Sequence, residues 1–142
     1  MPVATLTMPN RVEFVRPATV FLVTAAKALA VPVAANPVFE VAISEAITNA
    51  VKHGGRPRGR GRVPPSTITC EMHNEDRTLT LRIIDGGAGF RLPVARLPVM
   101  SRERIEALPS SGFGLPIIHA VFSNVRVIEV DGRFGVELAL SY

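Results

Sequence analysis

The chain has no tryptophan, one tyrosine and a single cysteine, Cys70, in 142 residues. One cysteine excludes an internal disulfide and matches a reducing compartment, so the fold must be held by its core alone. No uninterrupted apolar run is long enough to cross a bilayer, because the most lipid-like stretch, 18–35, is broken by Lys27, Pro32 and two threonines. The opening residues MPVATLTMPNRVEF lack a basic segment followed by an apolar one, which argues against a secretory leader and for a cytoplasmic location. Metal-ligand spacings of Cys and His are missing too. What remains is one domain over 1–142, large enough for a single hydrophobic core. The net charge of +4 owes much to Arg56-Pro-Arg-Gly-Arg-Gly-Arg62. With no aromatic residues interleaved to stack bases, that run reads as a solvated or partner-facing loop rather than a nucleic-acid surface.

The strongest element present is Phe39 to Gly54, FEVAISEAITNAVKHG. Asn36-Pro37 is a start signal and Gly54-Gly55 a stop signal for a helix between them. Val38, Phe39, Ala42, Ile43, Ala46, Ile47 and Ala50 cover most of its circumference, which predicts a buried helix. Glu45, Asn49, Lys52 and His53 share the remaining stripe, stacked one turn apart. Alone, this pattern describes a core helix with satisfied polar groups; as a site, it would put an acid and an amide into a cavity.

Before it, Val3 to Met8 reads as an edge strand, and a helix from about Pro17 to Ala30 would turn Val20, Phe21, Ala25, Ala28 and Leu29 to the core. After the basic loop, Ser66–His73 and Thr78–Asp85 alternate and form a hairpin joined by residues 74–77. A Gly-rich turn and about twenty aperiodic residues follow, long enough to be a lid, with a short helix over 101–108. A helix then opens at Gly112-Phe-Gly-Leu115 and runs to about Phe122. Asn124–Val130 and Phe134–Leu140 form a second hairpin, closed at Asp131-Gly132. Helices are too few to cover both faces of such a sheet, so the prediction is an α+β two-layer sandwich, a mixed sheet of about five strands with helices on one face.

Three short signals stand in order: E-x-x-x-N-A-x-K-H at Glu45–His53, D-x-G-x-G-F at Asp85–Phe90 and G-x-G-L at Gly112–Leu115. Singly, the second and third are turn signals. Together, one on a helix, one leaving a strand and one entering a helix, they resemble the boxes of the Bergerat-fold ATPases. The wording SEAITNAV at Ser44–Val51, the small size and the preceding helix are most similar to the RsbW/SpoIIAB-type anti-sigma-factor serine kinases, over about Val3 to Leu140.

That resemblance implies Mg²⁺ and ATP or ADP as cofactors. It gives Asn49 to the metal, whose octahedral oxygen shell is otherwise water and phosphate, Lys52 to the phosphates, and Glu45 to catalysis as general base. Asp85 would accept a hydrogen bond from the exocyclic amino group of adenine, where guanine presents a repelling carbonyl. Gly87, Gly89 and Phe90 would border the base. Gly112, Phe113, Gly114 and Leu115 would bring a helix N-terminus to the phosphates. His53 is either a phosphate contact or a helix cap.

The implied activity is phosphorylation of a serine on a STAS-type anti-anti-sigma antagonist. The implied partners are that antagonist, a sequestered sigma factor or similar regulator, and a second copy of the chain. The alternative is a nucleotide-gated sequestering module without phosphotransfer. Two features depart from the family pattern: Pro109-Ser110-Ser111 stands where relatives often carry arginine, and Gly132-Arg-Phe-Gly-Val136 replaces G-T-x-V. A detached histidine-kinase domain is disfavoured, since that subgroup usually has Asn or His at the position of Glu45.

Overall fold

A computed structural model describes residues 1–53, 67–85 and 114–142. Five strands and three α-helices occur among them: β1 (Ala4–Pro9), α1 (Val15–Ala28), α2 (Pro37–His53), β2 (Thr67–Glu75), β3 (Thr78–Asp85), α3 (Gly114–Val121), β4 (Asn124–Val130) and β5 (Arg133–Ser141). One-turn 3-10 segments at Val12–Phe14 and Pro32–Ala35 lead into α1 and α2.

The strands form one sheet in the order β1-β2-β3-β5-β4, and all four pairings are antiparallel. The expected mixed sheet is therefore corrected. The crossover through α3 does return β4 in the direction of β3, but β5 folds back between them and runs opposite to both. The β4–β5 hairpin pairs those strands antiparallel, and with β5 rather than β4 beside β3, no two neighbouring strands run the same way.

The sandwich has two layers, with the helices on one face of the sheet. Alternation in β2 and β3 buries Ile68, Cys70, Met72, Leu79, Leu81 and Ile83 beneath the helices. Leu138 and Leu140 extend that floor on β5. The helix α2 lies centrally, in contact with α1, α3 and β3. Its Phe39, Ala42, Ile43 and Ile47 are fully buried, and the Phe39 ring meets Phe122 at a 6.0 Å centroid separation. Val38, expected in the apolar cover, is instead exposed, one position too early in the first turn to face the sheet.

The predicted start of α2 holds: Asn36 Oδ1 accepts the backbone N–H of Val38 at 3.0 Å, and Pro37 begins the helix. The core face of α1 differs from expectation. Val15, Ala18, Thr19, Leu22, Val23 and Ala26 are buried, whereas Val20, Phe21 and Ala28 are exposed. The run ATVFLVTAA is apolar all round, so its period allows more than one phase. Packing against α2 and β1 selects the stripe, and Thr19 is tolerated there because its hydroxyl donates to the Val15 carbonyl at 2.8 Å.

Both hairpins close through two residues of positive φ, Asp76 and Arg77 at 48° and 58°, and Asp131 and Gly132 at 52° and 77°. That is the signature of the type I′ turn, whose twist matches that of the flanking strands. The first is thus tighter than the four-residue connection expected, with Glu75 opposite Thr78 in the ladder.

Candidate functional site

The three elements that carry the sequence boxes meet at α2. Glu45 and Asn49 lie one turn apart on α2 and are half-buried, and Lys52 is exposed one turn further on. Apolar neighbours force this placement: with Ala42, Ile43, Ala46 and Ile47 committed to the core, the Glu45–Asn49 stripe is left at its margin. Thr48, beside Asn49, satisfies its own hydroxyl on the Ser44 carbonyl at 2.7 Å.

Asp85 is the last residue of β3 and only 2% exposed. A carboxylate is brought so deep because Asp85 continues the buried face of β3, in phase with Leu79, Leu81 and Ile83. Its main chain pairs with Ile68 of β2. On the other side Arg133 Nε donates to the Asp85 carbonyl at 3.2 Å, and Nη2 of the same guanidinium reaches the Thr67 carbonyl at 3.5 Å.

The two remaining boxes are only partly within the described residues. His53 ends α2, and Gly114 and Leu115 begin α3, which packs beside α2. Gly87, Gly89, Phe90, Gly112 and Phe113 lie outside the described residues, as do the basic run 56–62, the aperiodic stretch and the helix expected at 101–108. Among the described residues, β3 and α3 each contact α2.

Sequence reasoning missed two groups. Arg133 carries no periodic signal; its position just after the Asp131-Gly132 turn was the available clue. His119 sits in the apolar run LPIIHAVF, where its Nε2 is buried with no hydrogen-bond partner among the described residues. Burial lowers its pKa and keeps the imidazole neutral. Burial also pushes the Cys70 thiol up to about 12, so it behaves as a packed apolar group rather than a nucleophile.

A second polar cluster occupies the helix-free face of the sheet. Glu137 on β5 accepts from Arg82 Nε at 2.8 Å and from Arg126 Nε at 2.6 Å, one strand to either side. Burial works to raise the Glu137 pKa, but the hydrogen bonds and charges of Arg126 and Arg82 outweigh it and hold the carboxyl below its usual range. These three side chains, with His73, Glu75 and Asp76, border an open groove of about 380 Å³. None of the described residues of the three boxes lines it.

Among the described residues no three His, Cys, Asp or Glu side chains stand close enough to hold a metal by themselves. A single amide, that of Asn49, fits a hard cation that takes its other oxygens from water and phosphate. No helix among the described residues is long and apolar enough to cross a membrane.

Comparison with known proteins agrees with this layout. Residues 8–141 match the family described as histidine kinase-like ATPase domain. The chain is 32% identical to the serine-protein kinase RsbW of Oceanobacillus iheyensis over 105 residues, covering 72% of this chain and 61% of that protein. It is 29% identical to the anti-sigma F factor of Clostridium acetobutylicum over 94 residues, covering 66% and 61%. With the RsbW of Listeria innocua it shares 31% over 96 residues, covering 66% and 58%. The chain spans about three-fifths of the length of these relatives.

Proposed function

Because the chain belongs to the histidine kinase-like ATPase domain family, we propose that it binds ATP with Mg²⁺ and passes the terminal phosphoryl group to a serine of a small partner protein. The observation that carries this reading is the family match over 8–141 together with the meeting of α2, β3 and α3, the elements that bear the acid–amide, aspartate and glycine boxes. Relatives named serine-protein kinase RsbW and anti-sigma F factor support the class of activity and the class of partner.

In this reading Asp85 takes the adenine. A carboxylate only 2% exposed accepts from the exocyclic amino group in a charge-assisted hydrogen bond, and it repels a base that offers an acceptor there instead. Asn49 holds the metal through its amide oxygen, and Lys52, exposed one turn on, neutralises phosphate charge. Bound Mg²⁺ would withdraw charge from the phosphate oxygens as the bond to the leaving ADP breaks.

Glu45 takes the proton from the attacking serine hydroxyl. Its side chain starts about 5–6 Å from that of Asn49, near enough to meet a hydroxyl approaching the γ-phosphate without joining the metal shell. A carboxylate is a weak base for a hydroxyl proton, so alignment of the serine supplies much of the acceleration.

The acceptor we propose is an anti-anti-sigma antagonist of STAS type, and the sequestered partner a sigma factor or similar regulator in the cytoplasm. Phosphorylation of the antagonist then decides which partner is held. Incubation with γ-labelled ATP and such an antagonist should yield acid-stable phosphoserine. Retention of ATP binding with no transfer would favour the second reading, a nucleotide-gated sequestering module, to which Pro109-Ser110-Ser111 in place of the usual arginine points. Acid-labile phosphoprotein would contradict both.

A further inference from the structure

The helix-free face of the sheet carries a straight row of charge. Register sets Glu71 of β2 opposite Arg82 of β3, Arg82 opposite Glu137 of β5, and Glu137 opposite Arg126 of β4. Residues directly opposite one another in a ladder share a face, so four neighbouring strands present acid, base, acid and base in line. An alternating row of even length becomes its own complement when reversed. The neighbouring row behaves the same way in size: His73, Thr80, Ala139 and Asn124 stand in line, and reversal sets the larger Thr80 against the smaller Ala139. Arg126, at one end of the charged row, is 61% exposed, and Glu71, at the other, is 27% exposed with His73 Nε2 at 3.5 Å. None of the five strands carries a lysine, the residue that most often keeps one sheet from associating with another.

We propose that this face is the contact between two copies of the chain, stacked sheet on sheet about a two-fold axis that runs parallel to the strands between β3 and β5. That operation lays β3 over the partner's β5 and β2 over its β4. Arg82 then faces the partner's Glu137, and Glu71 the partner's Arg126, each pair occurring twice. A two-fold axis along the row would instead set every charge against its own copy, so the charges choose the axis. Facing sheets lie about 10 Å apart and are turned by about 30°, which shifts the outer pairs by only a few ångströms, within the reach of an arginine. Four strands present roughly 20 by 25 Å, on the order of 1,000 Å² over both copies, the lower bound of a specific interface. The dimer is therefore weak, with a dissociation constant of about a micromolar to tens of micromolar. Both helix layers face outward in it, so the inference stands apart from the nucleotide reading; it gives a surface and a symmetry to the second copy that the family resemblance implies.

Sedimentation equilibrium of the full chain tests the contact. Within one chain two strands separate Glu71 from Arg126, about 14 Å, so any coupling between them must come from across the axis. Glu71→Arg and Arg126→Glu, each shown to be folded by circular dichroism, should each weaken dimerisation at least about tenfold, because each sets like charges against one another at both ends of the contact. An equimolar mixture of the two variants should recover the wild-type affinity within about threefold, since the mixed pair regains opposite charges at both ends. A wild-type chain that stays monomeric at about 100 μM, single variants that dimerise as the wild type does, or a mixture that fails to recover would each overturn the proposal. A dimer lost on Phe21→Asp and kept in the sheet variants would also overturn it, by moving the contact to the exposed side of α1. Should either charge variant not fold, Thr80→Arg decides, as it sets a bulky charge against the partner's Ala139: a tenfold weakening, on the order expected for a blocked contact, supports the proposal and an undiminished dimer overturns it.

Discussion

Arg126 and Glu137 face each other across the β4–β5 ladder with Nε 2.6 Å from Oε1, and Arg82 holds the other oxygen of the same carboxylate from β3. A side chain only 10% exposed thus carries charge on the outer face of the sheet and joins its last three strands. Glu137→Gln should cost about 1–3 kcal/mol at neutral pH, since the two guanidinium groups would then face each other without a counter-charge. The folded-state pKa of Glu137 lies below its unfolded value, so this stabilisation is fully present above the unfolded value and is lost as pH falls through the folded one. Urea titrations of wild type and Glu137→Gln should differ at pH 7 and begin to converge only as pH falls below the unfolded value, near about 4.3.

The neutral imidazole of His119 predicts a different window. Its folded pKa is depressed by burial, so the unfolded chain binds the proton first. Stability should therefore be full above the unfolded value, near about 6.5, and fall as pH drops through the folded one. Thermal midpoints measured from pH 7.5 to 5 should decline in the wild type and stay flatter in His119→Leu. Parallel declines would remove His119 as the cause.

Gly135 stands where a Cβ would meet the Ile83 carbonyl oxygen at 2.5 Å and the Ile84 Cα at 3.0 Å, both backbone atoms that cannot swing aside. Gly135→Ala must push β5 away from β3 and should destabilise by about 1–3 kcal/mol. Its denaturation midpoint should fall with the slope unchanged. Because β3 ends at Asp85, adenine nucleotide affinity should weaken in the same variant.

Glu45 and Asn49 should separate chemistry from binding. Glu45→Ala should lose about 10²- to 10⁴-fold in phosphoryl transfer to a serine antagonist, with ATP affinity nearly intact. Asn49→Ala should lose the Mg²⁺-dependent part of ATP binding. Rapid-quench assays read the first and calorimetry with and without Mg²⁺ the second; equal transfer by Glu45→Ala would exclude it as the base.

Phe39 and Phe122 pin α2 to the segment leaving α3. Phe39→Ala should cost about 3–5 kcal/mol through the cavity it opens, enough to threaten folding of a domain of this size. Phe39→Leu should recover much of that, as differential scanning calorimetry would show.

Local chemistry alone determined several features. Asn36 and Pro37 start α2 because a side-chain acceptor and a preset φ satisfy the first turn, whatever the rest of the chain does. Alternation in TITCEMH and TLTLRII makes strands with one apolar face, and Asp131-Gly132 makes a tight turn. The three boxes were legible for the same reason, since each is a short stretch of contiguous residues. The tertiary structure alone decided the rest. It chose which of two apolar stripes of α1 turns inward, placed β5 between β3 and β4, brought Arg82 and Arg126 to one carboxylate, and reached Arg133 back to the end of β3. Each of these joins residues far apart in the chain, and its free energy exists only once the sheet is assembled, so no local period or turn preference could announce it.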